Sequence, residues 1–259
     1  MRPALRTAWL LIALACLAQA PAVHAAGVFL RWDQCYGDGG VSNKNFACDT
    51  NTGSETLVAG FQLGADMTQV NGNEAILDVA AAGASLPAWW QLGQAGTCRS
   101  GVTSMDFVIS PGAVHCAEWA PSADVGGGFG LYQLHFLSPN SIRINAACAV
   151  VPGELQNVSA GQEYFAFNLV IAHRRSVGTG SCDGCSIPAC IHFTRLKVNT
   201  PDPLTFALLS GPANGTGSDF VTWQGGVGAT FITTPPLGWC AAATPTVKRT
   251  WGAVKALYR

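Results

Sequence analysis

Charged side chains are scarce in this chain. Asp, Glu, Lys and Arg make up 11% of its 259 residues, whereas about 25% is usual for a soluble domain. Fourteen basic residues stand against fifteen acidic ones, so the chain lacks the basic surface on which nucleic-acid binding depends. Gly, Ser, Thr, Asn and Ala fill many positions instead. Such a composition favours secreted, surface-bound or assembling β proteins over cytosolic enzymes.

Long apolar runs, helical periodicity and catalytic motifs are also lacking. Beyond the N-terminal leader, no stretch reaches the roughly 20 apolar residues that a membrane-spanning helix needs. No internal repeat is visible, and the periodicity of an amphipathic helix is nearly absent from the body. The Gly-x-Ser-x-Gly elbow, the His-Glu-x-x-His motif and the phosphate loop are missing. The body of the chain therefore carries no signature of a helical domain or of these enzyme classes.

The first 25 residues have the pattern of a signal peptide. Arg2 and Arg6 precede an apolar core at 8–17, and small residues occupy the two positions that signal peptidase reads. We expect cleavage after Ala25 and a secreted or extracytoplasmic location. Cys16 raises the alternative of a lipoprotein signal, but the residue three positions before it is not the Leu of a usual lipobox.

Nine cysteines remain after cleavage, in 234 residues whose formal net charge is −3. An exported chain meets an oxidising compartment, so a disulfide framework is expected. Because nine is odd, at least one thiol lies outside that framework. The sequence leaves the connectivity open, and we predict one pair, Cys35 with Cys48, because these residues flank a turn-rich segment. The disulfide candidates are Cys35, Cys48, Cys98, Cys116, Cys148, Cys182, Cys185, Cys190 and Cys240.

Short runs with alternating apolar residues recur along the chain and predict half-buried strands. The clearest covers 163–172, and four of its residues are predicted to share one face: Phe165, Phe167, Leu169 and Ile171. A second run at 190–198 shifts phase, which a β-bulge near Thr194 would explain. The intervening segment, 176–188, could close a long hairpin between these two strands.

About ten strands without intervening helices predict an all-β fold. We expect a disulfide-stapled, jelly-roll-like β sandwich over 26–240. The C-terminus is the exception, because Thr250 can cap a short helix with Trp251 and Tyr258 on one face. Residues 241–259 are therefore predicted to be a linker followed by a basic amphipathic helix.

Several motifs together resemble those of an uncharacterised family of secreted bacterial proteins. They are the string LRWDQCYGDGG at 30–40, NKNFACDTNTGS at 43–54, the Trp89–Trp90 pair before Cys98, the cysteines between 182 and 190, WQGG at 223–226 and the ending TWGAVKALYR. The similarity covers most of the mature chain. It implies export and a bacterial source, and it implies no mechanism.

Cys182, Cys185 and Cys190 are of a type that binds zinc, and His173 and His192 lie nearby in the sequence. A second pair of cysteines with the same close spacing is missing, and an oxidising compartment competes for the thiols. Structural disulfides are therefore preferred, and no metal or cofactor is expected.

Other polar residues have both a functional and a structural interpretation. Residues 49–55 space oxygen atoms like the start of a calcium loop, but a turn is the simpler interpretation. His115 adjoins Cys116, where a structural role is more common than a catalytic one. Seven carboxylates could contribute to an acid–base pair for glycoside hydrolysis: Glu74, Asp78, Asp106, Glu118, Asp124, Glu154 and Glu163.

Trp89, Trp90 and Trp223 are the candidate binding residues. Adjacent residues on an extended chain point to opposite sides, so at most one of Trp89 and Trp90 is expected in the core. The other could form a platform for a sugar ring. The preferred alternative is that both close one end of the sandwich, because Trp is highly buried on average.

These features predict a secreted or cell-surface, noncatalytic module with a structural or binding role. A glycan or a cell-envelope component is the expected partner, and the basic tail is expected to dock or sort the module. The alternative is a secreted polysaccharide hydrolase, whose two carboxylates would converge in a groove lined by Trp89 or Trp90.

Overall fold

The computed structural model describes residues 24–121, 123–213, 218–226 and 229. The apolar core of the predicted leader, Cys240 and the predicted C-terminal helix lie outside these residues. Within them the chain is almost entirely β-structure, as its alternating pattern predicts. Helical structure in the described part of the chain is confined to two 3-10 turns, Ala88–Trp90 and Gln224–Gly226, and no described helix is long and apolar enough to cross a membrane.

Fourteen strands make up the described fold. In chain order they are β1 Gly27–Trp32, β2 Asn43–Lys44, β3 Ser54–Gln62, β4 Met67–Val70, β5 Gly72–Ala81, β6 Thr103–Asp106, β7 Cys116–Glu118, β8 Val125–Leu134, β9 Ser141–Val150, β10 Gln156–Val158, β11 Glu163–Ala172, β12 Ala189–Asn199, β13 Phe206–Leu209 and β14 Phe220–Trp223.

The strands form two large sheets. The first has the order β1-β3-β11-β6, with β7 running beside β11, and the second has the order β2-β14-β12-β5-β9-β8, with β13 beside β12. Strands β4 and β10 form a separate two-stranded sheet. Neighbouring strands are antiparallel except for β7 with β11 and β2 with β14. The predicted β sandwich is confirmed.

The hydrophobic core lies between the two large sheets. Phe61 and Phe167 of the first sheet and Leu77, Ile144 and Phe193 of the second are fully or almost fully buried in one cluster. The rings of Phe167 and Phe193 meet edge-on across the two layers, with centroids 6.2 Å apart. Alternate residues on each strand reach this core, which is why the alternation in the sequence predicts the strands.

A β-bulge interrupts β12 where the sequence predicts it. The pairing of β12 with β5 shifts register between Phe193 and Arg195, so the predicted bulge near Thr194 is confirmed. The extra residue allows both Phe193 and Leu196 to face the core, where each is fully buried.

A second bulge, in β11, is not evident from the sequence. The pairing of β11 with β3 shifts register between Phe165 and Phe167. Phe167 faces the main core, whereas Phe165 packs with Val58 on the opposite side of the sheet. The prediction that these two phenylalanines share a face is therefore wrong, because the bulge reverses the alternation between them.

The segment at 176–188 does not close a hairpin. It joins β11 of the first sheet to β12 of the second, so it crosses between the layers. Two of its residues, Cys182 and Cys185, tie this crossing to other parts of the chain.

Three disulfides are present among the described residues, and they are Cys35–Cys116, Cys48–Cys185 and Cys98–Cys182. The predicted Cys35–Cys48 pair is wrong. Cys35 follows β1 and meets β7 of the first sheet, whereas Cys48 follows β2, which pairs with the second sheet. The turn-rich segment between them thus carries the two cysteines to different layers. Cys190 is also disulfide-bonded.

Candidate functional site

The candidate tryptophans are all in the interior. Trp89, Trp90 and Trp223 are fully buried, and the ring centroid of Trp223 lies 4.8 Å and 5.3 Å from those of Trp89 and Trp90. Residues Ala88–Trp90 form a 3-10 turn, in which neighbouring side chains are not on opposite sides as in a strand. Both rings therefore turn inward, which agrees with the preferred interpretation that both close one end of the sandwich. The expectations that at most one of them lies in the core and that the other forms a platform are wrong.

The candidate zinc ligands have structural partners. Cys182, Cys185 and Cys190 are in disulfides, so their thiols are not available to a metal. His173 Nε2 lies 2.7 Å from a Glu55 carboxylate oxygen, and His192 Nε2 lies 3.2 Å from one of Asp219. These contacts favour the structural interpretation of this part of the sequence.

The segment at 49–55 forms a turn that holds the crossing between the sheets. Asn51 Oδ1 accepts hydrogen bonds from the main-chain amides of Ser176 and Val177, at 2.8 Å and 3.0 Å. Its Nδ2 donates to the carbonyl oxygen of Val177. The polar side chain at the centre of the calcium-like pattern is thus engaged with the protein backbone.

Most of the candidate carboxylates also anchor the fold. Asp78 accepts two hydrogen bonds from Arg143, both 2.7 Å, and one of 2.6 Å from Thr194. Glu118 and Asp124 share the lining of a cavity of about 210 Å³, but neither Trp89 nor Trp90 lines it. The predicted catalytic groove lined by those tryptophans is therefore wrong.

Asp38 and His115 form a pair that the sequence does not reveal, because they are 77 positions apart. Asp38 Oδ1 accepts hydrogen bonds from the amides of Val114 and His115, both 2.9 Å, and lies 3.1 Å from His115 Nδ1. Burial alone would raise the pKa of Asp38, but these bonds and the amide of Cys116 outweigh it and hold that pKa below its ordinary value. Ser110 shares a cavity of about 480 Å³ with this pair.

These residues do not form a catalytic relay. The Ser110 hydroxyl donates to the main-chain oxygen of Asp33 at 3.4 Å, so it is not directed at His115. Glu163 on β11 accepts hydrogen bonds from the amides of Tyr36 and Gly37 at 2.8 Å and 2.7 Å. Burial raises the pKa of Glu163 above its ordinary value, although these amides oppose the shift. Both carboxylates secure a loop.

The outer face of the second sheet offers a more open arrangement. Glu74 on β5 pairs with Lys197 on β12 and with Ala147 on β9, so these three side chains form one row on that face. Asn199 and Ala149 flank the row on the same strands. All five positions are exposed or half-buried.

Two adjoining cavities follow these rows and together form what we call the trough. One has a volume of about 500 Å³ and the other about 270 Å³. Both are lined by Glu74, Ala147 and Lys197, so they are continuous. The larger cavity extends to Gly126 on β8, and the smaller one extends to Arg195 on β12.

Gly126 leaves part of the trough floor without a side chain. A Cβ atom at that position would meet no atom within 4 Å, so neither packing nor backbone conformation requires glycine there. Gly127 differs, because its Cβ would lie 2.1 Å from the carbonyl oxygen of Ala147. Glycine inside a strand weakens the strand. Where neither packing nor backbone conformation requires it, such a glycine often marks a place that a ligand or another backbone approaches closely.

The rim of the trough is partly apolar. Phe206 and Leu208 on β13 are 47% and 55% exposed, and Lys197 Nζ lies 4.9 Å from the centroid of the Phe206 ring. Glu74 accepts a hydrogen bond of 2.9 Å from Asn199 Nδ2. Amide, carboxylate, ammonium and aromatic groups thus surround one open surface.

A search of protein-family models, curated proteins and solved structures finds no match to the chain.

Cys148 is the free cysteine among the described residues, and it lies in the core. Burial raises the pKa of its thiol to about 12. We expect iodoacetamide at pH 8 to leave Cys148 unmodified in the folded protein and to alkylate it in denaturant without reductant, as read by peptide mass spectrometry. Rapid alkylation of Cys148 in the native protein would show instead that strand β9 opens readily.

Proposed function

We propose that this protein is a secreted or cell-surface, noncatalytic module that binds a glycan along the trough. The observation that carries the proposal is the open depression of about 500 Å³, whose floor is kept low by a glycine that the fold does not require. An open depression on a sheet suits a chain that lies across it. A small molecule is usually enclosed more completely.

The groups around the trough suit a sugar. Pyranose rings present hydroxyl groups at their edges and carbon-bound hydrogens on their faces. Asn145 and Asn199 offer amide donors and acceptors, while Phe206 and Leu208 offer exposed apolar surface. This combination of polar and apolar groups matches both parts of a sugar ring.

The proposed role is noncatalytic because the trough lacks a carboxylate pair. Among the described residues, Glu74 is the one acidic side chain that lines it, and Asn199 holds that carboxylate. Glycoside hydrolysis ordinarily needs two such groups. The alternative, a polysaccharide hydrolase, would have to use Glu118 and Asp124 at the smaller cavity between β7, β11 and the start of β8. Release of reducing ends from the same glycans would reveal it.

The extracytoplasmic location is supported by the disulfides. Three disulfides among the described residues are rare in a reducing cytosol and common after export. The predicted leader at 1–25 agrees with this placement.

Filling the trough should weaken binding without destabilising the fold. We expect Gly126→Val to weaken affinity for a bound polysaccharide at least tenfold, because the new side chain occupies the floor while its Cβ meets no neighbouring atom. Affinity electrophoresis against a panel of neutral and acidic polysaccharides, and against peptidoglycan, would measure this.

Ser104→Val is a matched control, because it adds the same side chain to an exposed strand position on the other sheet. It should leave affinity unchanged. Equal binding by Gly126→Val and the parent protein would place the ligand elsewhere, and failure to bind any member of the panel would overturn the proposed function.

A further inference from the structure

The basic side chains of the described residues differ in whether they have partners. Eight lysines and arginines lie in this part of the chain. Six of them donate hydrogen bonds to carboxylates or to main-chain carbonyl oxygens. They are Arg31, Lys44, Arg99, Arg143, Arg174 and Arg175. The remaining two are Arg195 and Lys197, which line the trough.

Arg195 and Lys197 have no ion pair or hydrogen-bonding partner within the described part of the structure. Arg195 is exposed, and its cross-strand neighbour is the apolar Ile76. Lys197 pairs across the strands with Glu74, but that carboxylate accepts its hydrogen bond from Asn199. Arg195 and Lys197 therefore bring two positive charges to the lining of the trough, against the single carboxylate of Glu74, and neither is in an ion pair with these residues.

The position of Lys197 is restricted although it has no anionic partner. Its ammonium group lies over the Phe206 ring, 4.9 Å from the centroid, a cation–π contact that favours this placement. Residues 195 and 197 are two apart on β12, so both side chains stand on the same face. The two charges are thus held on one side of the trough, where the apolar ring is also available to a ligand.

From this charge distribution we propose that the ligand of the trough is an acidic polysaccharide, whose uronate carboxylates are bound by Arg195 and Lys197. The inference rests on the proposed glycan-binding function and adds the class of glycan. A guanidinium group binds a carboxylate through two parallel hydrogen bonds. The excess of positive charge in the trough, on a chain whose formal net charge is −1, complements a polyanion and attracts it.

Polygalacturonate and its highly methyl-esterified form are the decisive pair of probes, because esterification removes the charge and keeps the sugar backbone. We expect the acidic polymer to bind at least tenfold more tightly, and its binding to weaken between 0.05 M and 0.5 M NaCl because salt screens exposed charges. Arg195→Gln and Lys197→Gln should each weaken the binding about tenfold.

Arg174→Gln is the matched control. It removes the same charge from an exposed residue that does not line the trough, so its affinity should equal that of the parent protein. Melting temperatures close to the parent value would show that the variants are folded.

The outcomes separate the two proposals. Equal binding of the acidic and esterified polymers, or binding of neutral glycans alone, would overturn the acidic ligand and leave the glycan-binding function standing. Binding of dextran sulfate without polygalacturonate would overturn recognition of carboxylates. An equal loss of affinity in Arg174→Gln would show that net charge, and not the trough, controls binding.

Discussion

Replacing Cys48 and Cys185 together by Ala should lower the free energy of unfolding by about 4 kcal/mol, because the unfolded chain then gains the freedom that the disulfide removes. The two residues are separated by 137 positions. The other two disulfides already shorten the path between them. Urea denaturation without reductant, followed by far-UV circular dichroism, would measure the loss.

The three disulfides act as one ring. Bridges between Cys35 and Cys116, Cys48 and Cys185, and Cys98 and Cys182 join the short segments 35–48, 98–116 and 182–185. When any one bridge is opened, its two cysteines stay connected through the other two bridges by a path of roughly 34 residues. Closing a loop of that length raises the free energy of unfolding by about 4 kcal/mol. We therefore expect a similar loss for each pair, although their sequence separations are 81, 137 and 84.

Cys148→Ala is the control for this prediction. It removes one buried sulfur atom and leaves the disulfides intact, so it should cost only about 1 kcal/mol. A loss below about 1 kcal/mol for all three Ala pairs would contradict the ring. Such a small loss would mean that no single bridge restricts the unfolded chain by closing a loop of this length.

Trp223→Ala should also lower the free energy of unfolding by about 4 kcal/mol, because it empties the centre of the aromatic cluster. The Trp223 ring contacts Trp32, Phe46, Trp89 and Trp90, with centroids 4.0 to 6.1 Å away. Its indole nitrogen also donates a hydrogen bond of 2.7 Å to a main-chain oxygen. Urea denaturation followed by far-UV circular dichroism is the suitable measurement, because tryptophan fluorescence itself changes in this variant.

Two further substitutions test the reason for this loss. Trp223→Phe keeps an aromatic ring and should cost roughly half as much. Phe206→Ala removes an aromatic side chain that is 47% exposed, and it should change stability by less than about 0.5 kcal/mol. Equal effects of Trp223→Ala and Phe206→Ala would mean that the cluster does not hold this end of the sandwich together.

The elements that the sequence predicts correctly are those whose conformation is set by residues adjacent in the chain. Strand β11 is predicted with its observed bounds, and the bulge at Thr194 in β12 follows from a phase shift visible in the run itself. The bulge before Phe167 was missed because Ala166, being small and apolar, leaves no mark in the alternation. The expectation that at most one of Trp89 and Trp90 lies in the core is wrong because nothing in the sequence distinguishes a short 3-10 turn from an extended loop.

The candidate site shows the same limit. Arg195 and Lys197 belong to a strand that the sequence predicts, but whether they form ion pairs depends on which strands lie beside them. Ile76 and Glu74 occupy those neighbouring places only because β5 pairs with β12 in this register. The role of Gly126 likewise emerges only when the space above it is known.

By itself, the sequence determined that this protein is an all-β chain with cysteines paired in disulfides, because burial of alternating apolar residues is a property of each local segment. The tertiary structure alone decided which cysteines pair, how the tryptophan rings pack together and where an open charged surface remains. These depend on contacts between residues far apart in the chain, and the order in which strands join the two sheets sets those contacts.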